Sequence, residues 1–193
     1  MFDTLFTLGI SSMRMVFAAA LLAVPTVGLW AEDKATPVEW AGMKSTAPAV
    51  WKKEVPMDKL GLRVAQFKIT KEEGDKEDAE VVAFFTKGGG GIDANLTRQL
   101  NNFQPAKGAE KVETKKDKFK VGKYEGVYFD IKGTFIKKAF PMAKDGTPFA
   151  DYRQIYVVFE DDDGAVASVW LRGPAKTVEK HTKDFDAMLK SFK

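Results

Sequence analysis

"YRQIYVVFEDDDGAVASVWLRG", residues 152–173, decides the fold. Two runs rich in Val, Ile, Tyr and Phe flank Asp163-Gly164, and such a dipeptide between β-rich runs predicts a hairpin. The pattern then changes. From Pro174 onward Val178, His181, Phe185, Met188, Leu189 and Phe192 line one face at helical spacing, with Lys and Asp on the other. Proline is well placed near the first turn of that helix, where its missing N–H costs nothing. A hairpin followed by an amphipathic helix points to a helix lying on an antiparallel sheet.

Working back toward the N-terminus, "VWKKEV" (50–55) and "LRVAQFKIT" (62–70) read as strands on β propensity. "KEEGDKED" (71–78) is a charged turn around Gly74, and "AEVVAFFTK" (79–87) is apolar on both faces from Val81 to Phe85, as in a buried strand. "GGGGIDANLTRQLNNF" (88–103) is a glycine turn followed by a helix, with Ile92, Leu96, Leu100 and Phe103 at helical spacing and Pro105 as its stop. Asp93 sits at the front of that helix, where a carboxylate suits the exposed N–H groups and the dipole. In "KYEGVYFDIKGTFIK" (123–137), Val127, Phe129 and Ile131 alternate with Tyr128, Asp130 and Lys132, the pattern of a half-buried strand, and Gly126 and Gly133 suggest bulges or turns. Residues 137–151 are expected to be a loop containing the "KDGTP" turn. The order strands, helix, strands, helix, without an internal repeat, predicts an α+β fold: an antiparallel β-sheet with helices packed on it.

The N-terminus differs from the rest. Between Arg14 and Glu32 no residue is charged, and the run ends in small residues. That is the pattern of a secretory signal peptide over residues 1–31, too short for a helix spanning a bilayer, which needs about 20 apolar residues. Cleavage after Gly28 places Thr26, and cleavage after Ala31 places Leu29, where a small residue is preferred; an uncleaved anchor is the alternative. The expected destination is secreted or periplasmic, with no transmembrane anchor after cleavage. Residues 32–48, rich in Ala, Pro and Thr, read as a linker, leaving 49–193 as a single domain. The chain has no cysteine. Neither a disulfide nor lipidation at the cut is therefore available, and the core must suffice by itself.

The net charge is +3, unevenly spread: Lys107 to Lys138 holds ten lysines against five acidic residues. Lys115, Lys116, Lys118, Lys120 and Lys123 form a candidate basic surface, which would favour an anionic polymer or an acidic envelope protein. The partner is otherwise unknown, and nothing directs the chain to nucleic acid.

The four glycines Gly88, Gly89, Gly90 and Gly91 raise the question of a phosphate-cradling loop. A P-loop needs Lys and then Ser or Thr after the glycines, whereas here Lys87 precedes them. A dinucleotide fingerprint needs a parallel βαβ unit that the following segment does not supply. A tight strand-to-helix reversal is the favoured reading. "EDDDG" (160–164) lacks the alternate spacing and distant Glu of a calcium loop. His181 is the only histidine and there is no cysteine, so a zinc site lacks its ligands; a Ser-His-Asp site would need this histidine, which sits mid-helix, and no Gly-x-Ser-x-Gly nucleophile elbow accompanies it. Neither metal nor cofactor is expected. Carboxylate pairs for glycoside hydrolysis depend on separation in space, and no pair is marked in the sequence. Trp40, Trp51 and Trp170 are candidates for a sugar-stacking or partner surface, although Trp170 alternates within a strand and fits a core. Asn95-Leu96-Thr97 is a formal glycosylation sequon inside the predicted helix.

"AVWKKEVP", "LRVAQFKI", "GDKEDAEVVAFF", "GGGGIDANLTRQLNNF" and "GPAKTVEKHTKDFDAMLKSF" together resemble a family of uncharacterised bacterial secreted proteins, over nearly the whole of the expected mature chain from about Glu32. The shared positions are structural in type, among them Arg63 with Phe67, Asn95 with Arg98, and Gly173-Pro174 at a helix start. Where the family pattern often has Trp after the Arg, this chain has Gln99. The order of elements, closed by Leu189-Lys190-Ser191-Phe192, also resembles the PsbP-like fold of extrinsic photosystem subunits. That resemblance implies an accessory or binding role without catalysis. Asn95, Arg98 and the glycines are then either a ligand site or structural polar groups. An envelope hydrolase acting on polysaccharide through carboxylates is the alternative function.

Overall fold

The computed structural model describes residues 35–56, 60–139, 143 and 145–193; the expected signal peptide lies outside them. Among the described residues ten strands and two helices follow one another: β1 Thr36–Trp40, β2 Met43–Ala47, β3 Lys52–Glu54, β4 Arg63–Ile69, β5 Ala79–Lys87, α1 Gly91–Leu100, β6 Phe103–Gln104, β7 Glu113–Val121, β8 Tyr124–Lys138, β9 Gly146–Glu160, β10 Ala165–Pro174 and α2 Ala175–Lys190. Eight strands form one antiparallel sheet in the order β3-β4-β5-β10-β9-β8. Beyond β8, β7 pairs with its first half and β6 with its second. The fold is therefore α+β, an antiparallel sheet with a helix packed on each face.

The central strands β5, β9 and β10 carry the core because they are apolar on both faces. Ile155, Val157, Phe159, Ala167, Val169 and Leu171 face α2 and meet its stripe of Val178, Phe185, Met188 and Leu189. The alternate residues Tyr156, Val158 and Val166 face α1 and pack with Leu96 and Phe103. The period of two along each strand separates these two clusters. The β9–β10 turn is held by Asp161, whose Oδ1 accepts from the N–H groups of Asp163 at 3.0 Å and Ala165 at 2.7 Å. The first carboxylate of the aspartate run thus fixes a turn.

Three sequence expectations change. The segment expected to be a linker holds a hairpin, β1–β2, turned at Ala41-Gly42 and packed on the α2 side of the sheet. Val38, Trp40, Met43 and Ala47 belong to the core, Ser45 Oγ donates to Met188 O at 2.9 Å, and Lys44 exchanges backbone bonds with Lys193. The loop expected over 137–151 is shorter, because β8 runs to Lys138 and β9 starts at Gly146. Helix α1 ends at Leu100, before Pro105, and β6 lies between them.

Candidate functional site

The glycine turn explains itself locally. Gly88, Gly90 and Gly91 have φ of 73°, 83° and 70°, a region costly for residues with a Cβ, and Gly90 caps α1 in that conformation. Asn95 is buried at 6% exposure, and its Nδ2 donates to Gly89 O at 3.1 Å and Gly91 O at 2.7 Å. Arg98 Nη1 donates to Asn95 Oδ1 at 2.7 Å. The Asn95 side chain is therefore turned inward on the turn itself, satisfying Gly89 O ahead of the helix and adding a bond to Gly91 O in its first turn, while the exposed Arg98 holds the Asn95 amide from outside. Gln99 is buried and accepts from Gln154 Nε2 at 3.1 Å, joining α1 to the sheet.

The five lysines fall into three groups. Lys116, Lys118 and Lys120 alternate along β7 and share its α1-side face, because their cross-strand partners Phe129, Val127 and Glu125 alternate in the same way. Lys115 points to the opposite face and pairs with Asp117 at 2.7 Å. Lys123 stands in the β7–β8 turn, bonded to Asp162. Lys116 reaches Asp93 at 3.5 Å. Among the described residues, Lys118 and Lys120 have no carboxylate partner within ion-pair distance, and both are exposed. They stand over a groove of about 370 Å³ between β7, β8 and the first turn of α1, lined by Ile92, Val127, Gly126, Phe119 and Glu125. No strand signal marked β7 in the sequence, since six of its nine residues are charged and only Val121 is buried.

A second polar centre, absent from the sequence reading, lies between α2 and β8. Arg153 grips Asp130 with two bonds, Nε to Oδ1 at 2.9 Å and Nη2 to Oδ2 at 2.7 Å, and its Nη1 bonds Glu179. Burial pushes the nearby Asp186 carboxyl above its ordinary value, with the Asp130 charge adding to this while Tyr128, Lys190 and Arg153 oppose it. Asp186 Oδ1 is buried without a hydrogen-bond partner.

Trp40 and Trp51 are 1% and 2% exposed, so the sugar-stacking surface does not form. Trp170 is half-buried against Phe84, with the Arg172 guanidinium 4.4 Å from its ring centre. Among the described residues no group of three or more His, Asp or Glu side chains is placed to hold a metal ion, and no helix is long and apolar enough to cross a membrane.

No protein-family model matches the chain, and no curated protein matches it. Solved structures do resemble it. One is PA94 from Pseudomonas aeruginosa, a protein of unknown function, at 14% identity and a TM-score of 0.44 over 81% of this chain and 94% of that one. Another is the cyanobacterial PsbP, CyanoP, from Synechocystis, at 12% identity and a TM-score of 0.47 over 90% of this chain and 98% of that one. Each likeness concerns the course of the backbone.

Proposed function

We propose that this is an exported, non-catalytic binding or accessory module whose partner is anionic and is engaged on the α1-side face of β7. The observation that carries the reading is the row Lys116, Lys118 and Lys120 on one face of an edge strand, two of them without a carboxylate partner among the described residues. Aligned cations on a surface raise the local concentration of anions and speed their encounter. Long charged side chains on an edge strand also discourage sheet-to-sheet aggregation. Binding to a partner adds what that role does not: a salt-dependent affinity. The test is titration of the purified protein with a purely polar polyanion, polyglutamate, at rising ionic strength. Affinity should fall as salt rises and should fall again in the triple variant Lys116→Gln/Lys118→Gln/Lys120→Gln. Affinity indifferent to both would sink the reading. Export is tested separately by sequencing the N-terminus of the protein recovered outside the cytoplasm; a start at Leu29 or Glu32 supports it.

The hydrolase reading draws on one contrast of surroundings, between an Asp186 carboxyl that burial pushes above its ordinary value and an Asp130 carboxylate gripped by Arg153. Acid and base pairs are built from such differences. Both Asp130 oxygens are engaged by Arg153, however, and neither residue lines the groove beneath the lysines. Binding without turnover therefore remains the better-supported function.

A further inference from the structure

We infer that the groove over β7 and β8 binds a single-chain anionic amphiphile, a fatty carboxylate, with its headgroup on Lys118 and Lys120 and its chain on Ile92 and Val127. The inference rests on the reading of the β7 face as an anion-binding surface and adds what a polar polyanion does not explain, the apolar floor. Ile92 and Val127 are only partly buried, at the edge of the α1-side cluster. The groove's volume of about 370 Å³ lies within the range of small-molecule sites, which run from about 300 to 1,000 Å³. The lysine stems lengthen this apolar surface while their ammonium groups stay in water at the rim.

Charge sets the orientation. Lys115, Lys116 and Lys123 are each matched to a carboxylate, so the uncompensated positive charge of this region sits on Lys118 and Lys120. Glu125 stands opposite Lys120 across the strand pair and also lines the groove. It repels a carboxylate on its own side of Lys120, which weights the headgroup toward Lys118 between the two lysines and leaves the chain on Ile92 and Val127. A cationic amphiphile would meet the reverse pattern and a neutral one would gain only the floor.

The test is calorimetric titration of the full-length protein with dodecanoate below its micellar concentration, beside dodecanol, dodecyltrimethylammonium and acetate. One dodecanoate should bind per chain, with dodecanol and acetate each weaker by about tenfold or more, since both charge and chain contribute. Lys118→Met/Lys120→Met should weaken dodecanoate by about tenfold while the thermal unfolding midpoint stays in place. Glu125→Gln should tighten it. Ile92→Ala should weaken dodecanoate and leave polyglutamate binding unchanged. Dodecanoate binding no tighter than dodecanol, or insensitive to the double lysine variant, overturns the inference. If polyglutamate then still binds in a salt-dependent way, the anionic-partner reading survives alone; if it does not, both fall.

Discussion

Trp51 donates its indole N–H to Nδ1 of His181 across 3.3 Å, tying the start of β3 to the middle of α2. A histidine nitrogen accepts only while it is unprotonated. Burial pushes the His181 pKa below its ordinary 6.5, and Lys180 acts the same way, while Asp184 and Glu72 oppose. The folded state therefore takes up the proton later than the unfolded chain, so this contribution is full above pH 6.5 and is lost as pH falls through the lowered folded value. Urea unfolding between pH 7.5 and 5 should show declining stability over about that window, and His181→Gln, which keeps an acceptor without a titration, should flatten the slope. Equal slopes in both proteins would contradict the assignment.

Trp40 makes the hairpin β1–β2 part of the domain. Its Nε1 donates to Phe84 O at 2.9 Å, and its ring meets Phe159 and Phe192 edge-on at 4.9 and 5.4 Å. Trp40→Ala should cost about 3–5 kcal/mol in chemical denaturation, from lost transfer energy and the cavity left behind. A cost below about 1 kcal/mol would return this segment to the status of a linker.

The contrast between that hairpin and α2 shows what a linear reading sees. The stripe from Val178 to Phe192 repeats over four turns, and the 152–173 hairpin couples strong propensity to an Asp-Gly turn, so both are legible. Hairpin β1–β2 commits only Val38, Trp40, Met43 and Ala47 to the core, amid Pro, Thr, Ser and charged residues that read as loop. Strand β7 is set by its partner β8 rather than by its own residues. The lysines could be named from composition, but their division between faces follows from register. The Arg153 centre joins β8, β9 and α2, and no spacing within one segment could reveal it.

Arg153 and Asp130 form a pair whose side chains are only 9% and 14% exposed. Removing one partner leaves the other charge without compensation in a poorly solvated place. Arg153→Met should therefore cost about 3–5 kcal/mol, and Arg153→Met/Asp130→Leu should recover much of it, because a matched apolar pair carries no desolvation penalty. A double-mutant cycle in urea measures the coupling. Additive losses would show that Glu179 and solvent already compensate each charge.

At the glycine turn, Asn95→Ala removes two donors to Gly89 O and Gly91 O and the acceptor for Arg98, and should cost about 1–3 kcal/mol. Gly90→Ala places a Cβ 3.3 Å from that of Ala94 in a left-handed conformation and should cost about 1–2 kcal/mol. Neither should alter polyglutamate affinity at temperatures where the variants stay folded. Loss of binding with stability unchanged would instead make this turn the ligand site.

Asp186 gives the opposite sign to His181. Its folded pKa is raised above the ordinary 3.8 by burial, so the unfolded chain releases the proton first as pH rises. Its contribution is present below pH 3.8 and is lost as pH climbs through the raised folded value. Ionising it in the folded protein places charge on a carboxylate with one buried, unpartnered oxygen. Asp186→Asn removes that charge and should raise the unfolding midpoint at pH 7, with the gain shrinking toward pH 4 as the native carboxyl becomes protonated. The same variant separates the two functional readings. A binding module should keep its polyglutamate affinity in Asp186→Asn, whereas a hydrolase using this carboxyl as its acid should lose turnover while becoming more stable.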